Sequence, residues 1–213
     1  MFCSKCGIQI SPNNSFCLNC NPPYSNSSQA TLKSEVIKSA IIDAFNAFKI
    51  LASDPIGRLA CTFETIGPSK AFGVGLVYGA FISLSILFGL YVFYGSTIDF
   101  KLLILTVSPF VGLSLGIFIS RKIFHGVGSL AHDVFISGSS LLPLAIPALV
   151  FKFLGFGNID FICLLGVFTS CLTVLMIYAG FTRIIKLTDQ MAAIATPGSL
   201  VMGFLMIKCF FML

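Results

Sequence analysis

The segment AFGVGLVYGAFISLSILFGLYVFY, residues 71–94, has no charged side chain and is long enough to cross a bilayer as a helix. Further apolar stretches follow towards the C-terminus, and together they predict five membrane spans. The predicted spans are Ala71–Tyr94, Leu102–Ser120, Val134–Leu154, Asp160–Phe181 and Met191–Ile207. The whole composition agrees, because the 213 residues are 56% hydrophobic and 10% charged, with a mean hydropathy of +0.98. This composition argues against a water-soluble enzyme and indicates an all-α polytopic membrane protein.

The positions of the basic residues predict how the spans are oriented. Ten of the 13 Lys and Arg lie on one side of the predicted membrane: Lys5, Lys33, Lys38, Lys49, Arg58, Lys70, Arg121, Lys122, Arg183 and Lys186. The other side carries Lys101, Lys152 and Lys208. Since loops rich in Lys and Arg remain in the cytoplasm, we expect the N-terminus inside and the C-terminus outside. The basic residues are scattered rather than clustered, so no nucleic-acid partner is expected.

Residues 1–23 hold two CxxC pairs, Cys3 with Cys6 and Cys17 with Cys20. A segment this short cannot bury a core, whereas four thiolates can surround one Zn²⁺ tetrahedrally. Disulfides would need an oxidising compartment, and a thioredoxin-like redox pair would need a βαβ unit. The pattern therefore predicts a zinc ribbon with one structural Zn²⁺ and no open coordination position for catalysis.

The head MFCSKCGIQISPNNSFCLNC also resembles the short N-terminal zinc ribbons of many prokaryotic membrane proteins. It departs from them at Asn21, where glycine is usual. The Ser-rich residues 24–34 are predicted to form a flexible linker between the ribbon and the rest of the chain.

Between the linker and the first span, residues 35–70 contain a predicted amphipathic helix from Glu35 to Ala52. Its apolar positions recur every three or four residues at Ile37, Ile41, Phe45, Phe48 and Leu51 or Ala52. The stretch Asp54-Pro55-Ile56-Gly57 should end it. The pattern suits a helix lying in the headgroup plane, and docking of the same stripe on the spans remains the alternative.

Small residues and prolines within residues 71–213 predict how the spans pack. Gly75-x3-Gly79 and Gly112-x3-Gly116 place glycines where neighbouring helices can approach closely. Pro109, Pro143 and Pro147 should bend their helices, since proline cannot donate the usual backbone hydrogen bond.

The ionisable residues and cysteines indicate no catalytic site. No charged residue is predicted at mid-depth in a span, where enzymes and coupled transporters often place one. His125, His132 and Asp133 in the second loop form a candidate metal site, but their spacing favours solvated loop residues. The isolated cysteines outside the head are expected to act as small apolar residues. They are Cys61, Cys163, Cys171 and Cys209.

Residues 50–213 resemble the Yip family, small five-span proteins that interact with Rab-type GTPases in eukaryotic membranes and have prokaryotic relatives. The similar features are DPIGRL before the first span, HGVGSLAHDVFISGSSLLPLAIP around the second loop and third span, and YAGFTRIIKLTDQMAAIA before the last. The resemblance implies a five-span domain with no catalytic residues. With the zinc ribbon, it implies a prokaryotic relative in the plasma membrane.

Two functions follow as hypotheses. The first is a non-enzymatic membrane scaffold or organiser whose ribbon docks a cytosolic protein; homo-oligomers are compatible with it. The second is a small transporter or channel regulated by the ribbon. The spans offer only hydroxyls as polar lining, and such hydroxyls commonly bond to their own helix backbone, which favours the first hypothesis.

Overall fold

The computed structural model describes the backbone of residues 29–94, 100–154 and 159–212, with side chains for 37–91, 102–150 and 160–209. The chain divides into two compact units, Met1–Ile37 and Lys38–Leu213. The described residues contain helices and connecting turns, with no strand. The predicted zinc ribbon, residues 1–23, lies outside the described residues.

Seven α-helices follow one another along the described residues. They are α1 (Gln29–Ser53), α2 (Leu59–Ile66), α3 (Pro68–Tyr94), α4 (Phe100–Ile123), α5 (Leu130–Leu154), α6 (Ile159–Ala179) and α7 (Asp189–Met212). A π-helical turn, Gly180–Ile184, extends α6. Helices α3 to α7 are long and apolar enough to cross a membrane, which confirms the predicted number of spans.

The chain turns sharply between α1 and α2, at the break predicted from the sequence. The Asp54 carboxylate accepts a hydrogen bond from the Gly57 backbone N–H at 2.8 Å and closes the turn. Helix α2 then forms a separate short element that the sequence pattern did not predict. At its other end, α1 begins at Gln29, so residues 29–34 of the predicted linker are helical.

Helix α5 is the centre of the bundle. It packs against α3 and α6 and also contacts α4, while α4 packs mainly against α7. The most apolar stretch of α5 is 61% buried inside the protein, compared with 22% for α6. The short side chains of the sequence SGSS in α5 explain this position, because they let neighbouring helices come close.

Glycines mark the closest helix contacts, as the sequence predicted. A Cβ at Gly75 would lie 2.5 Å from the Val134 carbonyl oxygen on α5. The next glycine of that motif, Gly79, instead faces the Phe110 ring of α4. Gly112 and Gly116 both face α7, and a Cβ at Gly116 would lie 2.6 Å from a backbone oxygen there. The glycines of the first motif, Gly75 and Gly79, therefore contact two different helices, whereas Gly112 and Gly116 contact the same one.

Candidate functional site

A buried ion pair joins the end of α4 to the start of α5. The Arg121 guanidinium donates through Nε to Asp133 Oδ1 and through Nη2 to Asp133 Oδ2, each at 2.8 Å. A third bond runs from Nη1 to the Gly128 carbonyl at 2.9 Å. The side chains are 6% and 0% exposed, respectively. This two-pronged geometry is the strongest arrangement available to a guanidinium and a carboxylate.

The turn between α4 and α5 brings the two charges together. Gly128 has φ +139° and His125 has φ +53°, so the backbone reverses sharply within a few residues. The Val127 N–H donates to the Ile185 carbonyl at 2.9 Å, which ties this turn to the segment after the π-helical turn. The ion pair and this hydrogen bond therefore connect α4, α5 and the segment after the π-helical turn at one end of the bundle.

This geometry corrects the expectation that Asp133 is a solvated loop residue. Its carboxylate lies in the first turn of α5 and is completely buried. The sequence carries a signal for this pair: a basic residue ends one span, a Gly-containing turn follows, and an acidic residue begins the next span. Charged residues that enter the protein interior are normally paired in this way.

The two histidines predicted in the second loop, of which His132 lies in α5, do not converge on a metal site. His125 is exposed, whereas the His132 ring lies 4.5 Å from the Phe63 ring of α2. Nδ1 of His132 accepts a hydrogen bond from the Ser129 N–H at 3.0 Å. Among the described side chains, no group of three or more His, Cys, Asp or Glu could hold a metal ion. The four cysteines of the predicted zinc ribbon lie outside these residues.

Hydroxyl groups inside the spans mostly bond to their own helix. Ser83, Ser85, Ser108, Thr169, Ser170 and Thr173 each donate to a carbonyl three or four residues earlier, with the shortest of these bonds at 2.7 Å. Ser114 also reaches across to Ser137 on α5, with 2.6 Å between the hydroxyl oxygens. These groups therefore satisfy one another and the backbone, as expected for helices that pack together.

Helix α1 contacts the bundle through Ala44, Ala47 and Leu51 and leaves most of its large apolar side chains exposed. Ala44 and Ala47 are buried, and the Ala44 carbonyl accepts a hydrogen bond from the Tyr78 hydroxyl at 2.8 Å. By contrast, Ile41 and Phe45 are 51% and 59% exposed. The helix therefore docks on the bundle while most of the predicted apolar stripe remains uncovered, and its position in the headgroup plane stays a prediction.

A cavity of about 410 Å³ lies between α1, α3, α5 and α6. Its lining is apolar except for Ser139 of α5, whose side chain is completely buried. The Ser139 hydroxyl has no hydrogen-bond partner among the described residues. The sequence alone does not predict an unpartnered serine here, because a hydroxyl in a span usually bonds to its own helix.

Comparison with known proteins supplies no relative: the chain matches no family model, no curated protein and no solved structure. The resemblances to the Yip family and to prokaryotic zinc ribbons therefore stay predictions.

Proposed function

We propose that this chain is a non-enzymatic membrane organiser. In this proposal the five-span bundle anchors α1 at the cytoplasmic surface of a prokaryotic plasma membrane. The four-cysteine head binds one structural Zn²⁺ and docks a cytosolic protein. No substrate or catalytic residue is required.

The exposed apolar face of α1 carries this proposal. Ile41 and Phe45 are exposed beside the docked alanines, and the exposed cations Lys38 and Lys49 lie about one turn from Ile41 and Phe45, respectively, on the same helix. Lys49 also places its ammonium 4.7 Å from the centre of the Phe45 ring. Large apolar side chains flanked by lysines suit a helix that inserts between lipid headgroups. A helix inserted into one leaflet by a fixed anchor would organise the membrane around it.

The polar groups of the bundle support this proposal over a transporter or channel. The described hydroxyls of the spans mostly donate to the backbone of their own helix, and Arg121 neutralises Asp133 at one end of the bundle. An ion pathway normally needs polar groups that remain free to replace the water around the ion.

The proposal is tested by reconstituting the full chain into vesicles and measuring their size and shape by electron microscopy. The wild-type protein should change the size or shape of the vesicles. The double variant Ile41→Ser/Phe45→Ser should insert normally but leave the vesicles as they are without protein. A matched control, Phe161→Ser/Leu164→Ser, changes side chains of α6 that are at least as exposed and should keep the effect of the wild-type protein on vesicle shape. If the two variants changed vesicle shape equally, the proposal would be contradicted. Ion conduction by the protein across a planar bilayer would favour the channel.

A further inference from the structure

We propose that the cavity between α1, α3, α5 and α6 binds one uncharged lipid, an apolar chain bearing a single hydroxyl, with that polar end against Ser139. The volume of about 410 Å³ lies within the usual range for small-molecule sites. This inference does not depend on the proposed membrane-organising function.

The polar end of the site is defined by Ser139 and Pro143. The Ser139 hydroxyl is buried and has no partner among the described residues, and the same side chain lines the cavity. Pro143 follows four residues later on α5 and has no N–H, so it cannot donate the usual helical hydrogen bond to the Ser139 carbonyl. One turn of α5 therefore has a hydroxyl with no described partner and a backbone carbonyl that lacks its usual helical donor, and the hydroxyl can donate to or accept from a ligand hydroxyl.

The rest of the lining favours a hydrocarbon chain. From Ser139 the wall continues along α5 to Leu149, which is about 15 Å along a helix axis. Leu172 and Met176 of α6 form the facing wall. A second groove on α3, of about 460 Å³, shares Phe81 and Leu149 with the cavity and extends the apolar surface. A chain longer than the cavity can therefore continue along the protein.

The membrane itself is the source of this ligand. Phe48, Phe81 and Ile146 line the cavity and are each about half exposed, so it opens on the outer surface of the bundle. Around membrane-spanning helices that surface faces lipid. Water is a poor occupant of most of the cavity, because a buried water needs two to four polar partners and the described lining away from Ser139 has no polar side chain.

The charge of the ligand follows from the same lining. None of the described residues around the cavity is Lys, Arg, His, Asp or Glu. A phosphate or carboxylate beside Ser139 would lose its hydration without gaining a counter-ion. A hydroxyl would lose much less and would gain the unused hydrogen bond of Ser139.

The test uses the full chain in lipid nanodiscs and three photoactivatable probes with the same 16-carbon chain. One probe ends in a hydroxyl, one in a methyl group and one in a phosphate. We expect saturable cross-linking of the hydroxyl probe to α5 and α6, competed by unlabelled hexadecanol. The phosphate probe should give no saturable labelling of these helices. Non-saturable labelling spread over all five spans would overturn the proposal.

Three variants identify the contacts. Ser139→Ala should weaken binding of the hydroxyl probe roughly 3- to 10-fold, the effect of one hydrogen bond, and leave the methyl probe unchanged. Ser140→Ala is the matched control, since this buried neighbour bonds to the Ser137 carbonyl and does not line the cavity. Ile146→Trp should block both probes by filling the opening. Equal binding of the hydroxyl probe to the two serine variants, or unchanged labelling of the tryptophan variant, would refute the site.

Discussion

At the scale of single residues, the ion pair of Arg121 and Asp133 places two buried charges where one end of the bundle packs. Asp133 is fully buried, so its charge depends on the guanidinium that neutralises it. We predict that Arg121→Met lowers the free energy of unfolding by about 3–5 kcal/mol, because it leaves a buried carboxylate unpaired. Unfolding in a mild detergent measures this change.

Two controls separate the lost pair from the lost side chain. Lys122→Met changes the neighbouring exposed cation and should alter stability by less than about 0.5 kcal/mol. The double variant Arg121→Met/Asp133→Leu removes both charges and should recover most of the loss. If Arg121→Met were as stable as Lys122→Met, the ion pair would have no structural role.

The cysteines of the head give a second prediction at this scale. Purified full-length protein should contain one Zn²⁺ per chain, because four thiolates can close a tetrahedral site that contributes about 10–16 kcal/mol to folding. Cys17→Ser/Cys20→Ser should lose the metal, as measured by elemental analysis. Cys163→Ser/Cys171→Ser, which changes free and exposed cysteines of α6, should keep it. Zinc-free wild-type protein under reducing conditions would contradict the zinc ribbon.

At the scale of helices, the glycines of the spans are not equivalent. We predict that Gly75→Ala destabilises the bundle by about 1–3 kcal/mol, because the added Cβ would lie 2.5 Å from the backbone of α5. Gly198→Ala is the control: a Cβ there meets no atom within 4 Å, and alanine favours a helix by about 1 kcal/mol. Thermal unfolding in detergent compares the two, and equal stabilities would contradict the close contact between α3 and α5.

The sequence predicted helices better than it predicted their contacts. The five spans were predictable because each apolar run is by itself long enough to cross the hydrocarbon core of a bilayer. A glycine motif indicates close approach but not the partner, so the division of Gly75 and Gly79 between two helices was not predictable. Likewise, the stripe of α1 was recognised, whereas docking through Ala44 and Ala47 was not, because alanine is compatible with either environment. The cavity at Ser139 arises only when four helices meet.

At the scale of the whole molecule, the distribution of basic residues predicts the topology. We expect the turn between α4 and α5 in the cytoplasm and the segment between α3 and α4 outside, from the ten basic residues on the first side. In a cysteine-free background, a membrane-impermeant thiol reagent applied to intact cells should label a cysteine at position 96. It should label one at position 129 only after lysis. Labelling of position 129 but not position 96 in intact cells would show that the topology is the opposite of the predicted one.

The two ends of the molecule have different sources of stability, and this predicts that they can be separated. The residues Lys38–Leu213 form a compact unit held by helix packing, whereas the head is expected to depend on zinc. Deleting residues 1–24 leaves that unit complete, so the truncated chain should insert and should unfold at nearly the same temperature in detergent. It should, however, lose the cytosolic proteins that co-purify with the full chain. Loss of insertion would show that the head supports the membrane domain, and an unchanged set of co-purifying proteins would show that the head is not the docking module.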